Sequence, residues 1–89
     1  MHAVVVKVSI KDAEGAQKAL EEQVVPRVSQ APGFVAGYWT RADDRSNGQA
    51  MIIFESEDAA RAAADQLRAN VPEPVTLESA EVREVVANA

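Results

Sequence analysis

Strand and helix signals alternate along this chain in the order β-α-β-β-α-β. This predicts an α+β domain of the ferredoxin-like plait type, a four-stranded antiparallel sheet with two helices on one face. Three observations carry the prediction. Four short segments rich in β-branched residues are bounded by Pro, Gly and polar turns. Two alanine-lined segments between them repeat apolar residues at helical spacing. One polar loop, closing on Asn47-Gly48, joins the two halves as a hairpin. The chain has 89 residues and no linker long enough to divide it, so residues 1–89 are read as a single domain.

Taken in order, Ala3 to Ile10 is a strand whose alternate set Val4, Val6, Val8 and Ile10 is wholly apolar, while Ala3, Val5, Lys7 and Ser9 form a mixed set. Asp12 stands at an N-cap position, Glu14 suits the helix dipole, and Ala13, Ala16, Leu20 and Val24 give the first helix its buried stripe. Pro26 removes a helix donor and biases Val25 away from helical angles. A kink or restart is expected there, with the segment ending by Gln30. Pro32-Gly33 is turn chemistry. Phe34 to Arg41 alternates as the second strand, and Gln49 to Glu55 is the third, apolar on both faces as a central strand should be. Ser56 caps a second helix over Glu57 to Asn70, with Ala60, Ala63, Ala64, Leu67 and Val71 buried and Asp58–Arg61–Asp65 pairing on its wet face. Pro72 and Pro74 stiffen the connection to a last strand, Thr76 to Ala87. Right-handed crossovers put strands one and three in the middle and strands two and four at the edges.

Composition narrows the chemistry by exclusion. Nine Lys and Arg against fourteen Asp and Glu give a formal charge of −5, so nucleic acid is not the expected partner. The chain has no cysteine, which removes disulfides, thiolate metal sites and thiol nucleophiles. No apolar run approaches the roughly 20 residues of a membrane helix, and the amino terminus lacks a signal-peptide layout; a soluble, cytoplasmic protein is expected. His2 is the only histidine and so the only obvious general base or haem ligand, but its place at the chain start favours a surface role. Glu78, Glu81 and Glu84 fall at a spacing of three, wrong for one face of a strand, so no metal site is expected. Asp43, Asp44 and Asn47-Gly48 read as a turn and lack a calcium loop's spacing.

The distribution of apolar residues predicts an assembly. Two helices cover only one face of such a sheet, so the other face of a monomer should be polar. Here Val5, either Met51 with Ile53 or Ile52 with Phe54, and part of the Tyr38/Trp39 set must lie on it. A contiguous patch of that kind marks an interface, and a two-fold homodimer with sheets packed face to face is expected.

The β-α-β-β-α-β order, the Val24-Val25-Pro26-Arg27-Val28 segment, the Pro32-Gly33-Phe34 turn and the Phe54-Glu55-Ser56-Glu57 passage together resemble the dimeric α/β-barrel superfamily. Within it, the resemblance is to the antibiotic-biosynthesis monooxygenase-like (ABM-like) domains. It covers nearly the whole chain and rests on structural motifs. It implies a homodimer whose sheets form a barrel, with a pocket between sheet and helices in each subunit. Some members are cofactor-independent oxygenases of aromatic polyketides, and others degrade haem. The oxygenase branch places a tryptophan where this chain has Phe54 and a histidine in the second helix, where this chain has none. The haem-degrading branch uses an asparagine on strand one, absent from Val4 to Ser9.

The residues expected to line a ligand site are Tyr38, Trp39, Arg41, Met51 and Phe54. Tyr38 and Trp39 are adjacent on one strand and point to opposite faces, so one ring faces the helices and the other the barrel side. Arg41, or Lys7, offers a charge to a phenolate or carboxylate, and Met51 a flexible wall. The alanine stripes either bring helices close to the sheet or leave room for a ligand. No catalytic residue is assigned, and no cofactor or metal is expected. The reading is a small homodimer that binds an apolar or aromatic molecule between sheet and helices. The alternative is a cofactor-independent monooxygenase of aromatic polyketide-like or quinol substrates.

Overall fold

The computed structural model describes all of residues 1–89. The chain runs β1 (His2–Ile10), α1 (Ala13–Ala19), a π turn (Leu20–Val24), α2 (Val25–Ser29), β2 (Phe34–Arg41), β3 (Asn47–Phe54), α3 (Glu57–Ala69) and β4 (Val75–Glu84). The sheet order is β2-β3-β1-β4 with every neighbouring pair antiparallel, as the crossover rule predicts. It is a ferredoxin-like plait.

Register decides which residues meet the helices. Val4 stands opposite Ile52 on one side and Val82 on the other, and Val6 opposite Ala50 and Ala80. Val4, Ile52 and Phe54 are fully buried, and they pack with Ala60 and Ala64 of α3, also fully buried. The alanines therefore act first as close-packing surfaces, bringing α3 down onto β1 and β3. Ser56 caps α3, its hydroxyl accepting the Ala59 N–H at 3.1 Å. Arg68 donates to the Ala80 carbonyl at 2.6 Å, fastening the last helical turn to β4.

The irregular first helix has a clear cause. Pro26 has no N–H for the Glu22 carbonyl, and its ring crowds that carbonyl. The chain winds wider over Leu20–Val24, with the Val25 N–H donating to the Leu20 carbonyl, and restarts as α2 with Pro26 in its first turn. Asp12 holds the N-cap position without a side-chain capping bond.

Several boundaries differ from the sequence reading. β3 starts at Asn47 instead of Gln49, because the hairpin turn is made earlier. Asp44 accepts from the Ser46 N–H at 3.0 Å and the Ser46 hydroxyl at 2.7 Å, and Arg45, not Asn47 or Gly48, takes the left-handed conformation at φ 62°. Those bonds, the hydroxyl first, hold the Asp44 carboxyl below the usual carboxylate range. β4 ends at Glu84 instead of Ala87, since its partner β1 begins at His2, which pairs with Glu84. His2 is thus held in the ladder and is not frayed. On α3 the ion pairs are Arg61–Glu57 at 2.6 Å and Arg68–Asp65 at 3.1 Å, instead of Asp58–Arg61 and Arg61–Asp65. The longer Glu57 carboxylate, four residues before Arg61, reaches the guanidinium in the favourable orientation. The Arg61 hydrogen bond, then its charge, lowers the Glu57 pKa. Whatever stability this pair adds is present at neutral pH and fades as pH falls through that lowered value.

Gly33 sits at φ +80°, and a Cβ there would lie 2.8 Å from the Ala59 Cβ. Its carbonyl also accepts the Glu55 N–H at 2.8 Å, tying the turn to the start of α3. Gly33→Ala is expected to destabilise the fold by about 1–3 kcal/mol through strain and this clash. Urea denaturation checks it, and an unchanged midpoint would refute the account.

Candidate functional site

A cavity of about 150 Å³ opens between the sheet and the π turn. Val6, Val8, Ala50 and Ile52 form its floor, Ala16, Leu20 and Val24 its helical wall, and Trp39 its side on β2. Both ends of the π turn thus face the cavity, as wide turns at ligand sites often do. An apolar space of this volume takes one benzene-sized ring.

Trp39 is placed there by register and by a glycine. It pairs with Ala50, on the helix-facing side of β3. Gly37 lies two residues earlier on the same face, and a Cβ on it would fall 2.8 Å from both Cζ3 and Cη2 of the indole. The ring lies back along the strand over the bare backbone, which any larger residue would prevent. Arg41, two residues further on, is exposed at the cavity rim and is the one ionisable side chain lining it. It pairs with no carboxylate, so its guanidinium is open to a ligand anion. Gln17 adds an amide at the rim, its Nε2 donating to Glu21 Oε1 at 2.8 Å. The site can hold an apolar ring, stack it near an indole and meet a negative charge at its mouth. It has no carboxylate, histidine, tyrosine or lysine in its wall to act as acid or base.

Of the residues expected at a ligand site, the structure brings Trp39 and Arg41 to the cavity and sets three elsewhere. Tyr38 pairs with Met51 on the opposite, uncovered face, where they are 71% and 50% exposed. Phe54 faces the helices but is wholly enclosed, tilted against Phe34 with ring centroids 6.2 Å apart. It is core, not cavity wall. Lys7, the alternative to Arg41, pairs with Gln49 and Ser79 on the uncovered face. Leu20, Val24 and Leu67 line the cavity, a role the sequence reading did not give them. Their helical spacing announced burial, but only the π turn leaves space above them. Glu78 accepts a hydrogen bond from Ser9, and Glu81 pairs with Arg83 at 2.9 Å.

No family model matches the chain, and no curated protein is similar to it in sequence. Solved structures do match. SnoaB, a cofactor-independent oxygenase from Streptomyces nogalater solved in a mutant form, superposes with TM-score 0.72 at 18% identity, covering 98% of this chain and 94% of that one. A dimeric ferredoxin-like protein from an uncultured marine organism gives TM-score 0.66 at 10% identity over 100% and 98% of the two chains. A monooxygenase from ActVA-Orf6 of Streptomyces coelicolor, in complex with the ligand nanaomycin D, gives 0.58 at 16% identity over 99% and 92%. At these identities the likeness is one of fold alone, the ferredoxin-like plait.

Proposed function

We propose that this protein is a homodimer that binds a small apolar or aromatic molecule in the cavity beneath Trp39. The observation that carries the reading is an apolar space, open at one rim, with Trp39 on its side and the unpaired Arg41 at its mouth. Its chemistry suits a flat ring bearing a phenolate or carboxylate. The dimer rests on the second face of the sheet, where Val35, Tyr38 and Met51 are each about half exposed or more and no helix covers them. Across it runs the row Val5–Met51–Tyr38. Only eleven residues are buried in the single chain, and a second copy laid on this face would complete the core. An acidic, cysteine-free chain with no helix long and apolar enough to cross a membrane suits a cytoplasmic setting.

Titration with 3-phenylpropan-1-ol tests the ligand reading, since Trp39 is the only tryptophan and reports directly from the cavity wall. Saturable heat and a Trp39 emission shift are expected. Ala16→Leu, which fills the space, should weaken binding more than about tenfold, the loss of at least one ring's worth of contacts, without lowering stability. Absence of any Trp39 response in the unaltered protein would overturn the reading.

A second reading, a cofactor-independent monooxygenase of aromatic polyketide-like or quinol substrates, is favoured by the activities described for SnoaB and the ActVA-Orf6 protein. With no acid or base in the wall, the protein's part would be to enclose the ring and favour its anion through Arg41. Oxygen uptake with a panel of aromatic quinols, lost in Trp39→Phe, would support it over simple binding.

A further inference from the structure

A second cavity of about 340 Å³ lies between α2 and α3 on the outer side of the helices. It is lined by the small side chains of Ala59, Ala62 and Ala63 and by polar ones, among them Arg27, Gln30 and Gln66. Val24, Leu67 and Pro72 line both this groove and the cavity beneath Trp39. The two spaces are therefore neighbours separated by three side chains, none of them fully buried.

Size and charge argue that they work together. The inner cavity alone is one ring in volume. The outer groove, at about 340 Å³, is at the lower end of the roughly 300–1,000 Å³ of small-molecule sites, and the inner cavity deepens it by one ring. Both spaces are mostly hydrocarbon with a few polar groups in their lining: Arg41 and Gln17 at the inner one, and at the outer one Gln30, Gln66 and the Arg27 guanidinium, which makes no ion pair and no side-chain hydrogen bond within the chain. A cation left free beside an apolar groove is complementary to a carboxylate on an apolar stem. Resting on the ligand reading above, we infer that the two cavities are chambers of one site for an elongated amphipathic acid. Its ring sits beneath Trp39, its aliphatic stem crosses at Val24 and Leu67, and its carboxylate meets Arg27. Val24 and Leu67, by their bulk, set which stems pass.

A ladder of ω-phenylalkanoates of increasing tail length, each compared with its phenylalkanol, tests this by calorimetry and Trp39 emission. Affinity should peak at one tail length, and there the acid should bind about threefold to fivefold better than the alcohol, as befits an exposed charge pair. Arg27→Gln should remove that preference and leave alcohol binding and the Trp39 shift intact. Ala62→Phe, on an exposed position of the groove, should weaken the long acids and spare the short ones. If the preference is lost in Arg41→Gln and kept in Arg27→Gln, the anion sits at the inner rim and the two-chamber site is overturned while ring binding stands. If affinity has no dependence on tail length, it is likewise overturned. If no compound shifts Trp39, the ligand reading falls and takes this inference with it.

Discussion

Replacing Phe54 with alanine is expected to remove about 3–5 kcal/mol of stability, the cost of emptying a fully buried aromatic site. Phe54 has no exposed surface, touches the Phe34 ring and closes the core formed by Val4, Ile52, Ala60 and Ala64. Its neighbours are strands and an alanine-faced helix already in close contact, so collapse into the void would be limited. Against a typical total of about 5–15 kcal/mol, the loss is large enough to leave part of the population unfolded. Urea titration followed by circular dichroism checks it. Phe54→Leu, which keeps most of the volume, should lose only about 1–2 kcal/mol. A loss in Phe54→Ala no larger than that of Phe54→Leu would show that the site is not the centre of the core.

Met51→Lys is expected to separate the proposed dimer without unfolding either copy. Met51 projects from the middle of the uncovered sheet face, between Val5 and Tyr38, and is half exposed in the single chain. A lysine there is harmless to an isolated subunit. In a two-fold dimer it enters the interface from both copies, and burying charge in an apolar contact costs several kcal/mol per ion. The dissociation constant should rise more than about a hundredfold. Light scattering should then give the 9.5 kDa mass of one chain, with the circular dichroism spectrum retained. Met51→Leu should remain dimeric. Ligand binding beneath Trp39, on the other face, should survive the lysine. A monomer mass for the unaltered protein, or an intact dimer in Met51→Lys, would remove this face as the interface.

The hairpin and the first helix show where reading a sequence stops. Asn47-Gly48 has the composition of a turn, yet Asp44 and Ser46 organise the loop first, and the pair is drawn into β3 opposite Arg41 and Ser9. Turn propensity is local, whereas the ladder that captured these residues is long-range. Pro26 announced an interruption, but not that the chain would answer with a wider turn. That choice depends on what the sheet offers Leu20 and Val24 from below. At the site, Trp39 and Arg41 share a face by their spacing of two, which is legible in any strand. Phe54 and Met51 were legible only as apolar residues of a central strand, apolar on both faces.

The sequence by itself determined the α+β plait, the order of its elements, the central places of β1 and β3, and a surplus of apolar residues too large for one covered face. These follow from period, turn chemistry and handedness, which act over short distances along the chain. Only the tertiary structure decided that Trp39 turns inward and Tyr38 outward, because that rests on pairing Trp39 with Ala50, and a slip of one residue reverses every side chain. It alone also decided that the alanines near Phe54 are packed tight while those near Leu20 border open space. Small residues permit both outcomes, and the separation of helix from sheet selects between them.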